Sequence, residues 1–279
     1  MAKKDVNEMS FLDHLEDLRW HLIRIVTAVV ICGTVAFCFP SILFDNILFA
    51  PQKMTFPTYQ WLCNMSQVFG MEDMSFCADS FPFIIQNREM AGQFSIHIWT
   101  SIYAGFIVAF PYVIYQLWKF ISPGLTSKEK KTSTGFIIIS SLLFFMGVLF
   151  GYYIITPLSI NFLGTYSVSS DVSNEIDISS YVGLVRAAVI ASGIIFELPI
   201  LIYFLTKVGL VTPQFLRKYR KFALVIVLIL SAIITPPDIA SQIIVAIPVL
   251  VLYEVSIHIS RIVIKKDTKK QKKQVRKTS

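Results

Sequence analysis

Residues 136–155 read FIIISSLLFFMGVLFGYYII, a run of twenty residues without a single charge. A helix of this length rises about 30 Å, which matches the thickness of the hydrocarbon core of a bilayer. Five more apolar runs follow the same plan, at about residues 22–39, 94–114, 181–205, 222–235 and 241–257. The sequence therefore predicts six transmembrane helices. The last two are short, and they flank Pro236-Pro237-Asp238.

The composition agrees with a protein that lives in lipid. Hydrophobic residues make up 54% of the 279 residues, and the mean hydropathy is +0.63. Only 15% are Asp, Glu, Lys or Arg, against about 25% in soluble domains. The alternation of apolar and polar residues that marks β-barrel strands is absent. We therefore expect an all-α polytopic membrane protein.

The basic residues indicate which segments face the cytoplasm. Of the 25 Lys and Arg residues, 22 lie at the N-terminus, between spans two and three, between spans four and five, or after span six. The other three are Lys53, Arg88 and Arg186. Because positive charge accumulates on the cytoplasmic side, both termini are predicted to be cytoplasmic. The net charge of +7 is thus explained without a nucleic-acid-binding surface.

This topology predicts three parts. Residues 1–21 form a cytoplasmic amphipathic helix that lies on the membrane surface, residues 22–258 form the six-helix membrane domain, and residues 259–279 form a basic cytoplasmic tail. External loops are expected at about residues 40–93 and 158–180. We expect the first loop to be an ordered cap with short helices. The Lys-rich tail is expected to be disordered and attracted to anionic lipid.

Two cysteines lie in the first external loop. Cys63 and Cys77 are spaced so that they could close a disulfide. They could equally remain free thiols, because spacing alone does not fix their geometry.

Carboxylates mark the candidate binding sites. On the N-terminal helix, Asp13, Glu16 and Asp17 lie opposite a stripe of apolar residues. This polar face is either a solvated surface with local ion pairs or a site for a cationic partner. Glu129 is the single acid of the loop after span two, and it is either paired with a neighbouring lysine or a second carboxylate on the same side.

Glu197 is a third candidate, because it lies ten residues before Lys207 and hence near the middle of span four. An intramembrane carboxylate is costly and indicates function by default. The alternative is a structural contact with a neighbouring helix, for instance through Gln242. Pro199 is predicted to kink the helix beside it.

Several chemistries are excluded by their missing motifs. The sequence has no G-x-x-x-x-G-K-[ST] phosphate loop, no H-E-x-x-H, no Cys/His metal cluster and no G-x-S-x-G elbow. We therefore expect no metal, no cofactor and no enzyme activity. An intramembrane hydrolase would need a nucleophile paired with a base, which the sequence does not offer. A small-solute or ion permease that uses Glu197 is the second hypothesis, although the sequence lacks the repeats typical of that class.

Five blocks of sequence, in this order and with this topology, resemble the TatC family, the multispanning subunit of the twin-arginine protein translocase. The resemblance covers about residues 11–261. The blocks are His14-Leu-Glu-Asp-Leu-Arg19, Ala50-Pro51, Pro111 with Tyr115-Gln-Leu-Trp118 through Pro123-Gly-Leu125 and Glu129, Phe196-Glu-Leu-Pro199, and Thr235-Pro-Pro-Asp238 with Ser241-Gln242.

The resemblance implies a receptor that binds folded proteins whose signal peptides carry two consecutive arginines. It exports them across a bacterial cytoplasmic (inner) membrane with the proton gradient; an organellar membrane is the alternative. The implied partners are these signal peptides, small single-span subunits of the TatA and TatB type, further copies of the chain, and lipid.

The resemblance also implies roles for particular residues. Two acids of the family contact the arginine pair, and they correspond to Asp17 and Glu129. Further candidates for this site are Glu16, Arg19 and Phe120. Glu197 and Gln242 correspond to intramembrane positions where partner subunits dock. Structural roles fall to Pro51, Pro111, Pro123, Pro199 and Asp238.

The chain departs from the family pattern at two of these positions. The family usually has Glu where this chain has Asp17, so both Asp17 and Glu16 remain candidates for the first acid. The next family arginine is replaced by His21, which introduces a group that can titrate near neutral pH.

Overall fold

The computed structural model describes residues 11–68, 77–121, 133–169, 171–235 and 239–278. Glu129, Pro123 and Asp238 lie outside these residues. The described chain is mostly helical. Its α-helices are α1 (Phe11–Phe37), α2 (Pro57–Val68), α3 (Gly92–Ile121), α4 (Ser133–Phe150), α5 (Thr156–Thr165), α6 (Ile178–Phe196), α7 (Leu198–Lys207), α8 (Pro213–Lys218), α9 (Arg220–Ile234) and α10 (Ile239–Thr278).

Five of the described segments are long and apolar enough to cross a membrane. They are Leu15–Phe37, Gly92–Ile121, Gly135–Thr165, Ile178–Lys207 and Ser241–Lys265. The fold is thus that of a polytopic helical membrane protein, as predicted. Helix α9 corresponds to the predicted fifth span, but its 15 residues rise only about 22 Å. The count of six spans therefore stays a prediction.

Two of the predicted spans extend beyond their predicted ends. Helix α3 continues through Pro111 to Ile121, and the third span continues to Thr165 although a loop was predicted from residue 158. A π-helical turn at Gly151–Ile155 joins α4 to α5. Pro157 cannot donate to the carbonyl of Tyr153, and the hydroxyl of Thr58 donates to that carbonyl instead. The proline is therefore accommodated without ending the helix.

The two ends of the chain also differ from the prediction. The predicted N-terminal surface helix is the first part of α1, which continues without a break into the first span. At the other end the predicted disordered tail is helical, because α10 runs to Thr278. Lys, Gln and Arg are good helix formers, and they extend a helix that the preceding span has already nucleated.

The segment between the first two spans contains short helices, as predicted. A π-helical turn (Ile42–Leu48), a 3₁₀ turn (Ala50–Gln52) and α2 precede a short strand, β1 (Phe83–Gln86). This strand pairs with β2 (Asn174–Asp177), a two-stranded sheet that the sequence did not predict. Cys63 and Cys77 form a disulfide in the structure.

The described residues divide into two compact units. The first comprises residues from 1–50, 84–143 and 175–186. In it α1 packs antiparallel to α3 at backbone distance. A Cβ atom on Gly105 would lie 2.6 Å from the carbonyl oxygen of Val29 and would overlap the backbone nitrogen of Gly33. On the same unit the Tyr181 hydroxyl donates to the carbonyl of Leu48 over 3.0 Å.

The second unit comprises residues from 51–83, 144–174 and 187–279. Here the buried Ser192 hydroxyl of α6 donates to the carbonyl of Gly147 of α4 over 2.6 Å. Tyr59 is fully buried, and its hydroxyl lies 2.9 Å from the carbonyl oxygen of Pro51 and 3.1 Å from that of Pro157. In the same unit, the Thr206 hydroxyl donates to Ser260 between α7 and α10 over 2.9 Å.

We expect Gly105→Ala to destabilise the protein by about 1–3 kcal/mol, because the added methyl group has no room between α1 and α3. The thermal unfolding midpoint in detergent should fall. Gly183→Ala is the matched control, because a Cβ on Gly183 meets no atom within 4 Å. Equal midpoints for the two variants would contradict the close packing of α1 on α3.

Candidate functional site: the free ends of α1 and α3

The first candidate site lies where the beginning of α1 meets the end of α3. Glu16, Asp17 and Arg19 are all exposed on the first turns of α1, and Phe120 is half-buried in the last turn of α3. All four belong to the first compact unit. The antiparallel packing therefore brings these predicted residues to one end of the helix pair.

A chain of hydrogen bonds joins the two helices at this end. The ring nitrogen Nδ1 of His21 donates to Oε1 of Gln116 over 2.7 Å, which requires the proton on Nδ1. Nε2 of Gln116 donates to the hydroxyl of Tyr112 over 2.6 Å. Gln116 is only 3% exposed, so this link is shielded from solvent. The rings of His21 and Phe120 also meet in an edge-to-face arrangement, with 6.1 Å between the ring centroids.

This link sets the position of Asp17. The α1 residues that face α3 recur every three or four positions; they are His21, Ile25, Ala28, Val29, Cys32 and Gly33, which are less exposed than their neighbours. Asp17 lies four residues before His21 and continues this stripe by one turn. Glu16 is rotated by about 100° around the helix axis. Of the two acids, Asp17 is therefore the one on the side of α3.

The end of α3 is held by aromatic packing. Trp118 is buried, and its ring stacks on that of Phe136 at 4.5 Å between centroids. Trp118 therefore packs inside the first unit, whereas Phe120 remains partly accessible beside His21.

The second candidate site lies in the other compact unit, at the break between α6 and α7. Glu197 is half-buried at this break, with Pro199 buried in the first turn of α7. Its carbonyl oxygen accepts hydrogen bonds from the backbone of Ile200 and Leu201, at 3.0 and 2.9 Å. The surroundings are apolar, because Ile195 and Leu198 pack against the buried side chains of α9 and α10.

Gln242 lies at the beginning of α10 and uses its amide nitrogen to reach α9. Its Nε2 donates to the carbonyl of Leu228 over 3.0 Å. A free carbonyl lone pair inside an apolar helix is thereby satisfied. The sequence analysis considered a structural contact between Glu197 and Gln242. In the structure, the side-chain amide of Gln242 instead donates to the carbonyl of Leu228.

Sequence reasoning missed the role of Gln116. The residue was part of a family block, but its partner His21 lies 95 positions away. Among the described residues, no group of three or more His, Cys, Asp or Glu side chains is arranged to hold a metal ion.

These features define a multi-pass helical membrane protein with an acidic turn at one end of a helix pair and a carboxylate at a break in a span. Comparison with known proteins makes the assignment specific. The profile of the family described as Sec-independent protein translocase protein (TatC) matches residues 13–248. The chain therefore belongs to the TatC family, whose members are components of a protein translocase.

Individual relatives agree over nearly the whole chain. The chain is 45% identical to the TatC protein of Blattabacterium sp. subsp. Periplaneta americana, over 95% of this chain and 99% of the relative. It is 33% identical to the TatCy protein of Bacillus subtilis, over 96% and 95% of the two chains. A crystal structure described as the twin arginine translocase receptor TatC superposes with a TM-score of 0.67 at 32% identity, covering 90% of this chain and 99% of that one.

We expect Gln116→Leu to lower the unfolding midpoint, since His21 and Tyr112 lose their shared partner; the cost is about 1–3 kcal/mol. Tyr112→Phe removes only the second of the two hydrogen bonds and should cost less, about 0.5–1.5 kcal/mol. Thermal unfolding of both variants in the same detergent measures the difference. A Gln116→Leu protein as stable as the unmodified one would show that these hydrogen bonds do not contribute to the free energy of unfolding.

Proposed function

We propose that this protein is the signal-peptide receptor of a twin-arginine translocase and that the free ends of α1 and α3 form its binding site. The observation that carries the proposal is the His21–Gln116 hydrogen bond, because it holds the exposed Asp17 beside the end of α3 that carries Phe120. Glu129 follows α3 in the sequence and is proposed as the second acid.

The chemistry of the site suits an arginine pair. A guanidinium group presents its donors as a planar fork that matches a carboxylate, whereas the ammonium of lysine does not. Each charge-assisted contact is worth about 1.5–3 kcal/mol, or roughly a 10- to 100-fold change in affinity. Phe120 offers an apolar surface for the residues next to the arginines, and Arg19 balances the charge of Glu16 three residues before it.

Photo-crosslinking of a twin-arginine signal peptide to the protein in nanodiscs tests the receptor function. We expect crosslinking to fall about tenfold or more with Asp17→Ala, with Glu129→Ala, and with a twin-lysine peptide. Asp171→Ala is the matched control, because Asp171 is an exposed acid in the loop before β2. Crosslinking that is unchanged by all of these substitutions would refute the proposal. A permease that uses Glu197 would then be the hypothesis to test.

A second comparison separates the two neighbouring acids. Because Asp17 continues the α3-facing stripe and Glu16 does not, Asp17→Asn should weaken peptide binding about tenfold and Glu16→Gln much less. Asp17→Glu keeps the charge and should bind nearly as well as the unmodified protein. The measurement is the dissociation constant of a fluorescent twin-arginine peptide. A larger loss with Glu16→Gln would assign the contact to Glu16.

We further propose that Glu197 and Gln242 dock small single-span partner subunits of the TatA and TatB type, with several copies of the chain in one complex. The break at Glu197 and the contact of Gln242 with α9 support this, because both place a polar side chain within a candidate span or against a neighbouring helix of the second unit. The proposed setting is the bacterial cytoplasmic membrane, with both termini in the cytoplasm. Residues 22–258 form the proposed membrane domain, preceded by the N-terminal helix and followed by the basic tail. Membership of the TatC family favours this function over a permease.

A further inference from the structure

A cavity beyond the C-terminal end of α1 holds polar groups for which neither proposed site has a use. Its volume is about 550 Å³, and all of its lining residues belong to the first compact unit. They come from the segment that follows α1, from the first turns of α3 and from the first residue of α6. Because one apolar helix ends and two begin around it, the cavity lies where the spans leave the hydrocarbon core and meet the headgroups.

Asp45 gives this cavity a negative charge. Among the described residues that line it, Asp45 is the only carboxylate, and none is a lysine or an arginine. His97 also lines the cavity, but its ring stacks on that of Phe37 with 4.0 Å between the centroids. Over the described part of the chain, no Lys, Arg or His nitrogen lies within 4.0 Å of the Asp45 carboxylate. The carboxylate is therefore available to a cation from outside the chain.

Aromatic rings form much of the remaining wall. Phe44, Phe49 and Phe94 all line the cavity, and the rings of Phe44 and Phe49 lie 6.1 Å apart between centroids. Phe94 is 64% exposed. The faces of aromatic rings carry partial negative charge and attract ammonium groups. A carboxylate among such rings is typical of a site that binds an ammonium group.

The cavity also offers neutral hydrogen-bond donors. Ser41 and Gln93 line it and are exposed, and within the described residues neither side chain has a hydrogen-bond partner. A hydroxyl and a side-chain amide can both donate to phosphate oxygens. The same cavity therefore holds an acceptor that suits a cation and donors that suit an anion.

The backbone around Asp45 is anchored to the rest of the unit. Asp45 lies in the π-helical turn Ile42–Leu48, in which Leu43 and Leu48 are buried while Asp45 is exposed. The carbonyl of Leu48 also accepts the hydrogen bond from Tyr181 of α6. Single π-helical turns are rare and occur often at functional sites. The buried leucines therefore hold the turn in place and leave its carboxylate free for binding.

We propose that this cavity binds the headgroup of phosphatidylethanolamine, with the ammonium group at Asp45 and the phosphate at Ser41 and Gln93. A lysine of a partner protein would use the carboxylate but leave both donors without a partner, whereas a zwitterionic headgroup uses all three side chains. The level of the cavity also favours a lipid. Phe94 at its mouth and Ile98 one turn deeper on α3 are both exposed, and they border the acyl chains.

Native mass spectrometry of the detergent-solubilised protein with phosphatidylethanolamine tests this site. We expect Asp45→Asn to raise the dissociation constant of the tightest-binding lipid about tenfold, and Ser41→Ala with Gln93→Ala to raise it less, because the donors they remove are neutral. Asp79→Asn is the matched control, since Asp79 is an exposed acid in a loop of the other unit. Phosphatidylglycerol, which has no ammonium group, should bind the unmodified protein and Asp45→Asn equally.

Three outcomes would overturn the proposal. If Asp45→Asn binds phosphatidylethanolamine as tightly as the unmodified protein, the lipid site does not exist. If lipid binding is unchanged but co-purification of single-span subunits is lost, Asp45 binds a cation of a partner protein instead. If glycerophosphoethanolamine, which has the headgroup without acyl chains, displaces the lipid at equal concentration, the ligand is a soluble amine. Unfolding midpoints measured without added lipid, which should agree for all variants, separate lost binding from lost folding.

Discussion

Close backbone contact between helices is the constraint on which the rest of this fold depends. Lipid is as apolar as a leucine side chain, so helices in a membrane gain little from hydrophobic burial and associate through small residues that allow near approach. Gly105 provides this contact against Gly33 in the first unit, and Gly147 provides it against Ser192 in the second. Two helices held at backbone distance cannot slide, so their register is fixed along their whole length.

The fixed register explains the geometry of the candidate binding site. From the contact at Gly33 and Gly105, three helical turns along α1 lead to His21 and an equal distance along α3 leads to Gln116. Their hydrogen bond links the two helices close to these ends, and Asp17 and Phe120 come one turn later. The acid is thus exposed for binding, yet its helix is anchored close behind it.

The sequence predicted the membrane class, the four long spans up to residue 205 and the acidic turn, because these depend on local composition. It did not predict where helices end. The third span was expected to end at residue 155, whereas the helix continues past Pro157, where the hydroxyl of Thr58 replaces the hydrogen bond that the proline cannot make. The His21–Gln116 pair was missed for the same reason. Such contacts depend on how two helices are aligned against each other, and the sequence of either helix alone does not determine this alignment. The tail was predicted to be disordered because of its charge, but it is helical, since its residues have a high helix propensity and continue the last helix.

The break at Glu197 shows how the same physics creates a polar position inside a span. Pro199 removes the amide that the carbonyl of Ile195 would otherwise receive, and the backbone tightens so that the nitrogen of Glu197 donates to the carbonyl of Ile194 over 3.1 Å. The carboxylate is therefore held at a corner between two helices. A carboxylate in such a position is costly in lipid, and this cost is the physical reason to propose a docking role for Glu197.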